Sequence, residues 1–286
     1  MSVFLEEALR DAKKVLREAG IDSWAIDGDV LMAHALGMRR ESLITENRRA
    51  LSEDELGLFN SYVERRQKLM PVAYIINRVE FMGLDFFVDE DVLIPRPDTE
   101  TLVEAAIERI NKSGAKTVLD MCTGSGAIAI SIAHYCPKSQ VSAVDISQAA
   151  LKTAKKNAGG NGVQIDFIAS DMFEDVEDKF DIIVSNPPYI SGQEMTELSD
   201  NVSNYEPHLA LFGGVDGLGF YRRLSKSGKY LQEKGVIIIE IGAYQKNDIV
   251  EIFRKEGFCL HSVFKDLAGL DRTLIFGENR IDEKTN

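Results

Sequence analysis

The fold is decided by residues 116–146, "KTVLDMCTGSGAIAISIAHYCPKSQVSAVDI". One apolar run ends at Asp120, a glycine-containing turn leads into an apolar helical segment, and a second apolar run ends at Asp145. Apolar strands separated by helices are typical of a parallel sheet that is covered on both faces. Because ligands bind at the carboxyl ends of the strands in such sheets, the polar residues that follow each strand are the candidates for function.

Further strands are predicted along the rest of the chain. Two of them follow the first pair directly, and three more lie towards the C-terminus, where the last two read as a closing antiparallel pair. The runs are "VQIDFIAS" (163–170), "FDIIVSN" (180–186), "GVIIIEIG" (235–242), "FCLHSVFKD" (258–266) and "RTLIFGE" (272–278). The sequence therefore predicts an α/β fold whose sheet is mostly parallel, with an antiparallel C-terminal strand.

The segment before this sheet is predicted to be helical. Apolar residues recur at helical spacing near the N-terminus, and Ser52 with Glu55 three residues later is a capping-box signature. We expect a small helical bundle over residues 1–75, a β-hairpin linker over 76–98 and the α/β domain over 99–286.

The predicted linker shows the sequence pattern of a hairpin followed by the start of a helix. Residues 79–94, "VEFMGLDFFVDEDVLI", are rich in strand-forming residues and place Gly83 at the turn of a hairpin. The prolines of "IPRPDTE" then interrupt the chain, and either Asp98 or Thr99 is expected to cap the helix that follows.

Composition excludes several classes of function. The chain has 286 residues, 44% hydrophobic and 28% charged, with a formal net charge of −13. That charge argues against a broad electrostatic contact with DNA or RNA. The three cysteines and four histidines show no disulfide or metal-ligand spacing, so no metal site is expected. No apolar run approaches the ~20 residues that a membrane-spanning helix needs. A cytoplasmic protein is therefore expected.

The turn after the first strand predicts a nucleotide-like ligand. Gly124 and Gly126 allow the backbone to approach a ligand closely, and Asp145 at the end of the next strand is well placed to accept hydrogen bonds from ribose hydroxyls. Gly124, Gly126 and Ala129 also fit a dinucleotide fingerprint. On these residues alone, NAD and S-adenosylmethionine remain competing ligands.

The end of the third strand, "ASDMF", offers two more candidates. Asp171 is suited to accept the exocyclic amine of an adenine, and Met172 to pack on its ring. A core position is the better interpretation of a methionine taken alone.

The fourth strand ends in Asn186, Pro187, Pro188 and Tyr189, and this turn favours methyl transfer to nitrogen. An amide or exocyclic amine is a poor nucleophile because its lone pair is delocalised. Two fixed acceptors, the side-chain oxygen of Asn186 and the backbone carbonyl of Pro187, would hold the NH₂ group and favour positive charge on nitrogen. Pro188 stiffens the turn, and Tyr189 offers a flat wall for a planar group.

These motifs resemble those of the HemK-type protein-glutamine methyltransferases, and the resemblance covers nearly the whole chain. The most specific segment is "LIPRPDTE" (93–100), and "DMCTGSGAIAI", "SNPPYI", "YEPHLALFGGVDGLGFYR", "IIIEIGAYQ" and "DLAGLDRTLIFG" also match. The resemblance implies a Rossmann-like S-adenosylmethionine-dependent fold. It also implies methylation of the glutamine amide in the Gly-Gly-Gln motif of a class 1 translation release factor, docked partly by the N-terminal bundle.

On this resemblance the candidate site has two halves. The residues expected to bind the cofactor are Cys122, Thr123, Gly124, Ser125, Gly126, Asp145, Asp171, Met172 and Asn186. The residues expected to bind the acceptor are Asn186, Pro187, Pro188 and Tyr189, of which Asn186, Pro187 and Tyr189 are expected to act in catalysis.

Four positions depart from the family pattern. Cys122 replaces a glycine, and its side chain is expected to point away from the ligand. Asn77 replaces a hairpin glycine and tolerates positive φ. Met172 replaces an aromatic residue of some members, and Leu270 replaces a frequent arginine.

Other functions stay open at this point. A DNA adenine-amino methyltransferase would share Asn-Pro-Pro-Tyr but should carry a basic recognition region. A non-catalytic S-adenosylmethionine sensor would need only the glycine turn and Asp145. An NAD-linked dehydrogenase would need an acid/base pair, and none is evident. We expect a monomer whose partner is a release factor, with no direct nucleic-acid contact.

Overall fold

The structure is a computed structural model that describes residues 3–278. The chain forms two compact units. One contains the residues up to Arg78 together with Ser199–Tyr205, and the other contains Val79–Leu198 and the chain from Glu206 onward. Each unit has its own buried core.

Helices are found in both units, and their lengths range from 4 to 15 residues. Their bounds are α1 Leu5–Glu18, α2 Trp24–Ala35, α3 Ser42–Thr45, α4 Glu53–Gln67, α5 Val72–Ile76, α6 Glu100–Ser113, α7 Ala127–Tyr135, α8 Gln148–Gly160, α9 Asp200–Ser203, α10 His208–Leu211, α11 Gly219–Leu224 and α12 Lys246–Lys255. Single 3₁₀ turns lie at Pro97–Thr99, Glu194–Glu197 and Ser227–Tyr230.

The first unit is the predicted helical bundle. Helices α1, α2 and α4 bury apolar residues such as Leu16, Leu31 and Phe59 against one another. The predicted capping box begins α4: Glu55 N donates to Ser52 Oγ over 3.2 Å, and Ser52 N donates to Glu55 Oε2 over 2.9 Å. Helix α9 belongs to this unit although it lies far along the chain, which the sequence analysis did not anticipate.

The second unit is built on a seven-stranded sheet. Its strands and those of a separate hairpin are β1 Val79–Phe81, β2 Leu84–Phe86, β3 Thr117–Met121, β4 Gln140–Asp145, β5 Asp166–Ala169, β6 Phe180–Ser185, β7 Leu231–Glu240, β8 Phe258–Lys265 and β9 Asp271–Glu278. The order in the sheet is β5-β4-β3-β6-β7-β9-β8. The five neighbouring strands β5, β4, β3, β6 and β7 are parallel to one another, and β9 is antiparallel to both β7 and β8. The predicted α/β fold is confirmed.

Two apolar layers cover the sheet. One contains residues of α6 and α7 with the hairpin, and the other contains residues of α11 and α12. Because the central strands are buried on both faces, their side chains are apolar at almost every position, as the sequence pattern predicts.

The hairpin β1–β2 turns at Met82 and Gly83, both with positive φ. Phe81 and Phe86 are buried in the core of the second unit. Asn77 adopts φ 51°, the left-handed conformation that asparagine tolerates in place of glycine.

The start of α6 differs from the prediction. Thr99 directly precedes the helix, but its side chain makes no capping hydrogen bond, and Asp98 lies within the preceding 3₁₀ turn. The Thr99 hydroxyl instead accepts a hydrogen bond from the side chain of Asn186, which directly follows β6. Within residues 3–278, none of the helices has the length and apolar character needed to cross a membrane.

Candidate active site

A cleft lies at the carboxyl ends of β3, β4 and β6, where the topology predicts a ligand site. The empty space within it is about 740 Å³, including the solvent at its open mouth. The lining includes seven of the predicted site residues, Cys122, Gly124, Asp145, Asp171, Met172, Asn186 and Pro188. Other lining residues lie outside the glycine turn and the Asn-Pro-Pro-Tyr turn and were not predicted from the sequence; they include Asp91, Val92, Leu93, Ile146, Pro207, Leu209, Ala210 and Phe220.

Asp145 joins the glycine turn to the start of α8. One carboxylate oxygen accepts from Gly124 N over 2.8 Å, and the other accepts from Ser147 N over 2.9 Å. Burial raises the pKa of Asp145, and these backbone donors oppose the shift. A carboxylate has about four acceptor positions, so two protein bonds leave capacity for ligand hydroxyls. The residue fits the sugar of a nucleoside cofactor.

Asp120 supports the turn from below and was missed as a site residue. It is fully buried, and its Oδ2 accepts from Thr123 Oγ over 2.6 Å and from Ala129 N over 3.2 Å. Burial raises the pKa of Asp120 to about 7, while the two hydrogen bonds lower it. Its place at the end of a buried strand was the available signal.

Cys122 and Gly126 show why the glycine turn is demanding. Cys122 has φ 64°, which is a left-handed conformation. This conformation explains why the family that the motifs resemble has glycine at this position. Its Sγ lies 3.9 Å from Met172 Sδ, and burial raises the pKa of the thiol. Gly126 has φ 82°, and a Cβ there would lie 2.9 Å from Ile130 Cδ1 and 3.1 Å from Ala154 Cβ.

Asp171 lines the cleft with its carboxylate already paired. Arg223 Nη1 lies 2.7 Å from Asp171 Oδ1, and Arg223 Nη2 donates to the Asp171 carbonyl over 3.2 Å. This ion pair occupies one oxygen and leaves the other for an adenine amine. Met172 is buried in the core and also lines the cleft.

Asn186 begins the turn after β6, and the NH₂ group of its side chain is hydrogen-bonded within the protein. Asn186 Nδ2 donates to Thr99 Oγ over 3.1 Å. The Glu240 carboxyl lies at the end of β7; burial raises its pKa, and hydrogen bonding from the Thr99 and Asn186 side chains lowers it. Because the NH₂ end of the amide is used in this way, Oδ1 is the end left to accept a hydrogen bond from a ligand.

The rest of the turn is fixed by packing and by one amide. Pro187 and Pro188 are buried. Gln245 Nε2 donates to the Tyr189 carbonyl over 2.9 Å. Gly213 packs so closely that a Cβ there would lie 2.7 Å from the Pro188 carbonyl oxygen. Burial raises the pKa of Tyr189 to about 12, so the phenol is neutral at physiological pH.

Several predicted residues lie outside the cleft lining, and their roles stay predictions. Thr123 and Ser125 are buried: the Thr123 hydroxyl bonds Asp120, and the Ser125 carbonyl accepts from Asn157. The remaining ones are Gly126, Pro187 and Tyr189.

The segment "IPRPDTE" is tied to the region that follows α9. Arg96 forms an ion pair with Glu206, whose side chain is only 1% exposed, and Ile94 N donates to the same carboxylate over 3.4 Å. Arg96 is therefore more than a surface charge, because it compensates a buried carboxylate.

The sheet order, the glycine turn and the acid at the end of β4 define a class, the S-adenosylmethionine-dependent methyltransferases. A methyltransferase of Pyrococcus furiosus has the same fold, with a TM-score of 0.52 at 19% identity over 68% of this chain and 89% of that one. Family models agree: "Methyltransferase small domain" matches residues 98–203 and "PrmC N-terminal domain" matches residues 7–76.

The chain belongs to the release factor glutamine methyltransferase family. The relative from Clostridium acetobutylicum is 42% identical over 95% of this chain and 97% of its own length. The relative from Agrobacterium fabrum is 38% identical over 93% and 94%, respectively. Both carry the name release factor glutamine methyltransferase. The resemblance identified from the motifs is confirmed, and so is the cofactor, S-adenosylmethionine.

Proposed function

We propose that this protein transfers a methyl group from S-adenosylmethionine to the side-chain amide nitrogen of the glutamine in the Gly-Gly-Gln motif of a class 1 release factor. The observation that carries the proposal is the orientation of the Asn186 amide. Its NH₂ end bonds Thr99 behind the site, so its oxygen remains for an incoming N–H at the cofactor cleft.

The residues of the cleft have distinct tasks. Asp145 accepts from the ribose hydroxyls, and Asp171 with Met172 contacts the adenine. When bound, S-adenosylmethionine supplies an electrophilic methyl group on a sulfonium. The turn between Cys122 and Gly126 brings the backbone close to this ligand.

Asn186 and Pro187 orient the acceptor. Each would take one N–H of the glutamine amide through an oxygen, Oδ1 of Asn186 and the carbonyl of Pro187. The nitrogen lone pair then faces the methyl group, and both oxygens favour the positive charge that develops on nitrogen. Tyr189, a neutral phenol, provides a wall for the planar amide. The N–CH₃ bond would form as the S–CH₃ bond breaks, with the thioether S-adenosylhomocysteine as the leaving group. The positively charged nitrogen would then lose its proton to water, so no strong base is needed.

Substrate recognition is assigned to the N-terminal unit. A glutamine side chain offers little area, and specific protein complexes bury roughly 1,200–2,000 Å² in total. A docking surface outside the cleft is therefore required, and the helical bundle is the separate unit available for it. We further propose that the enzyme acts as a monomer in the cytoplasm and makes no direct contact with nucleic acid, consistent with its net charge of −13.

The test is a transfer assay with radiolabelled S-adenosylmethionine. Wild-type release factor, the same factor with the Gly-Gly-Gln glutamine changed to alanine, and adenine-containing DNA are the three substrates. Label in the wild-type factor alone is expected. Label in DNA would support an adenine-amino methyltransferase instead, and equal label in the alanine variant would refute the assigned acceptor. Cofactor binding without any transfer would favour a sensor.

A further inference from the structure

The acceptor site depends on which way one amide points. The two ends of an asparagine amide are similar in size, but only the oxygen can accept an N–H from a substrate. An amide turned by 180° would present donors to a donor and would repel the glutamine NH₂. Something in the fold must therefore set the orientation of Asn186.

A buried chain of polar side chains lies behind Asn186. Asn186 Nδ2 donates to Thr99 Oγ1 over 3.1 Å. Burial raises the pKa of the Glu240 carboxyl, and hydrogen bonding from the Thr99 and Asn186 side chains lowers it. Thr99 is 4% exposed and Glu240 is 1% exposed. These residues come from the start of α6, the end of β6 and the end of β7, so their side chains meet only in the folded protein.

The donor and acceptor roles in this set of side chains follow from the chemistry of Glu240. An ionised carboxylate only accepts hydrogen bonds, so the Thr99 hydroxyl is the donor in its interaction with Glu240. The lone pairs of Thr99 Oγ are then left for an N–H of Asn186. The amide oxygen of Asn186 must point the other way.

We propose that Thr99 and Glu240 are positioning residues that fix the polarity of the Asn186 amide, so that its oxygen faces the acceptor nitrogen. This inference rests on the proposed function, in which the Asn186 oxygen accepts an N–H of the glutamine amide. Neither Thr99 nor Glu240 is assigned a contact with the substrate. It also explains why Thr99 makes no capping bond at the start of α6.

The surroundings of Glu240 are consistent with a carboxylate kept for function. Burial raises its pKa to about 7, Thr99, Arg272 and Asn186 lower it, and Asp98 raises it. The Tyr221 hydroxyl donates to the Glu240 backbone carbonyl over 2.9 Å, and burial and the charge of Glu240 raise the pKa of the Tyr189 and Tyr221 phenols. Within residues 3–278, Oε2 of Glu240 has no hydrogen-bond partner. Such a group costs stability, and a structural role alone would not favour it.

Thr99→Val tests the proposal, and Ser227→Ala is the control. Ser227 is fully buried in the 3₁₀ turn before β7, at the opposite end of that strand from Glu240, and its hydroxyl has no hydrogen-bond partner among the described residues. Both changes remove a buried hydroxyl, but only the first removes a bond to Asn186. Single-turnover methylation of release factor and calorimetric titration with S-adenosylmethionine are measured for each variant, with thermal unfolding to show that it folds.

Thr99→Val should slow methyl transfer about tenfold, the factor that corresponds to one hydrogen bond, with cofactor affinity unchanged within about twofold. Thr99→Ser keeps the hydroxyl and should recover most of the rate. Ser227→Ala should react like the wild type. A wild-type rate in Thr99→Val, or equal slowing in Ser227→Ala, would overturn the proposal.

A double-mutant cycle separates this inference from the proposed function. If Thr99 acts through the Asn186 amide, adding Thr99→Val to Asn186→Ala should slow the reaction no further. An additional tenfold loss in the double variant would refute the route through Asn186. A wild-type rate in Asn186→Ala alone would refute the role of the turn itself. A slow Asn186→Ala beside a normal Thr99→Val would refute only the inference drawn here.

Discussion

The two halves of the cleft are built in different ways. The cofactor half comes from a nearly continuous stretch, in which Asp145 accepts from Gly124 and Ser147 and Asp120 holds Thr123. The acceptor half joins Thr99, Asn186 and Glu240, which are far apart in the chain. A ligand with many hydrogen-bonding groups can be held by a backbone turn and one acid. A single amide nitrogen needs an acceptor whose direction is enforced by the tertiary structure.

Asn186→Ala should give the largest effect and break the acceptor half alone. It removes one acceptor and leaves one N–H of the bound amide unpaired, so single-turnover methyl transfer should fall about 10²- to 10³-fold. Cofactor affinity, measured by calorimetric titration, should change little.

Asn186→Asp sharpens the same point. The Asn186 NH₂ donates to Thr99 beside the Glu240 carboxyl, so an aspartate loses that donor and places a second carboxylate near the first. We expect Asp to be as poor as Ala. A variant with Asp at 186 that transfers methyl groups much faster than Ala would show that the donor end of the amide is unimportant.

Asp145→Ala should break the cofactor half alone. Losing hydrogen bonds to a charged acceptor should weaken S-adenosylmethionine binding by about 1.5–3 kcal/mol, roughly 10- to 100-fold. The matched control is Asp181→Ala. Asp181 also accepts backbone N–H bonds, from Lys116 and Thr117, but it lies at the opposite end of the sheet. Calorimetric titration should show normal affinity in the control, and equal weakening in both would point to a general loss of structure.

Glu240→Gln should separate activity from stability in the acceptor half. The folded-state pKa of Glu240, about 7, is above its usual value of 4.5. An acid whose pKa is raised on folding destabilises the folded state when it ionises. This penalty is absent below pH 4.5, develops as the pH rises to 7 and is complete above it. The variant should therefore unfold at a higher temperature than the wild type at pH 8, but not at pH 4.

The activity of the same variant should move in the opposite direction. In the wild type, ionised Glu240 fixes the direction of the Thr99 hydroxyl, so single-turnover transfer should rise with pH through about 7. The neutral glutamine should be about tenfold slower at pH 8 and lack this rise. A variant with the wild-type pH profile would contradict the role of the carboxylate.

Arg96→Ala should give the smallest effect on transfer, because Arg96 contacts neither half directly. It leaves the buried Glu206 carboxylate without its ion pair, so urea unfolding should show a loss of about 1–3 kcal/mol. Arg222→Ala is the control, since its pair with Asp216 is exposed on both sides and should contribute about 0–1 kcal/mol. Release-factor methylation at low temperature should fall a few-fold in Arg96→Ala. A normal urea midpoint in that variant would mean that the ion pair contributes nothing.

The sequence by itself determined the strands, the glycine turn and the Asn-Pro-Pro-Tyr turn. Apolar runs that end in Asp120, Asp145 and Asn186 record burial on both faces of a parallel sheet, and the turn residues record local backbone geometry. These features depend on neighbours in the chain, so a pattern reveals them. Cys122 is the exception among these features. Its φ of 64° is a conformation that favours glycine, and a cysteine in the sequence does not predict it.

Only the tertiary structure decided what holds Asn186. Thr99 reads in the sequence as a helix cap, and Glu240 as a polar residue that interrupts "VIIIEI", yet the two meet Asn186 because β6 and β7 are neighbours and α6 begins beside them. The ion pair of Arg96 with Glu206 likewise joins segments about a hundred residues apart. Hydrogen bonds between side chains have no period along the chain, so their partners are set by the packing of the strands and helices that carry them.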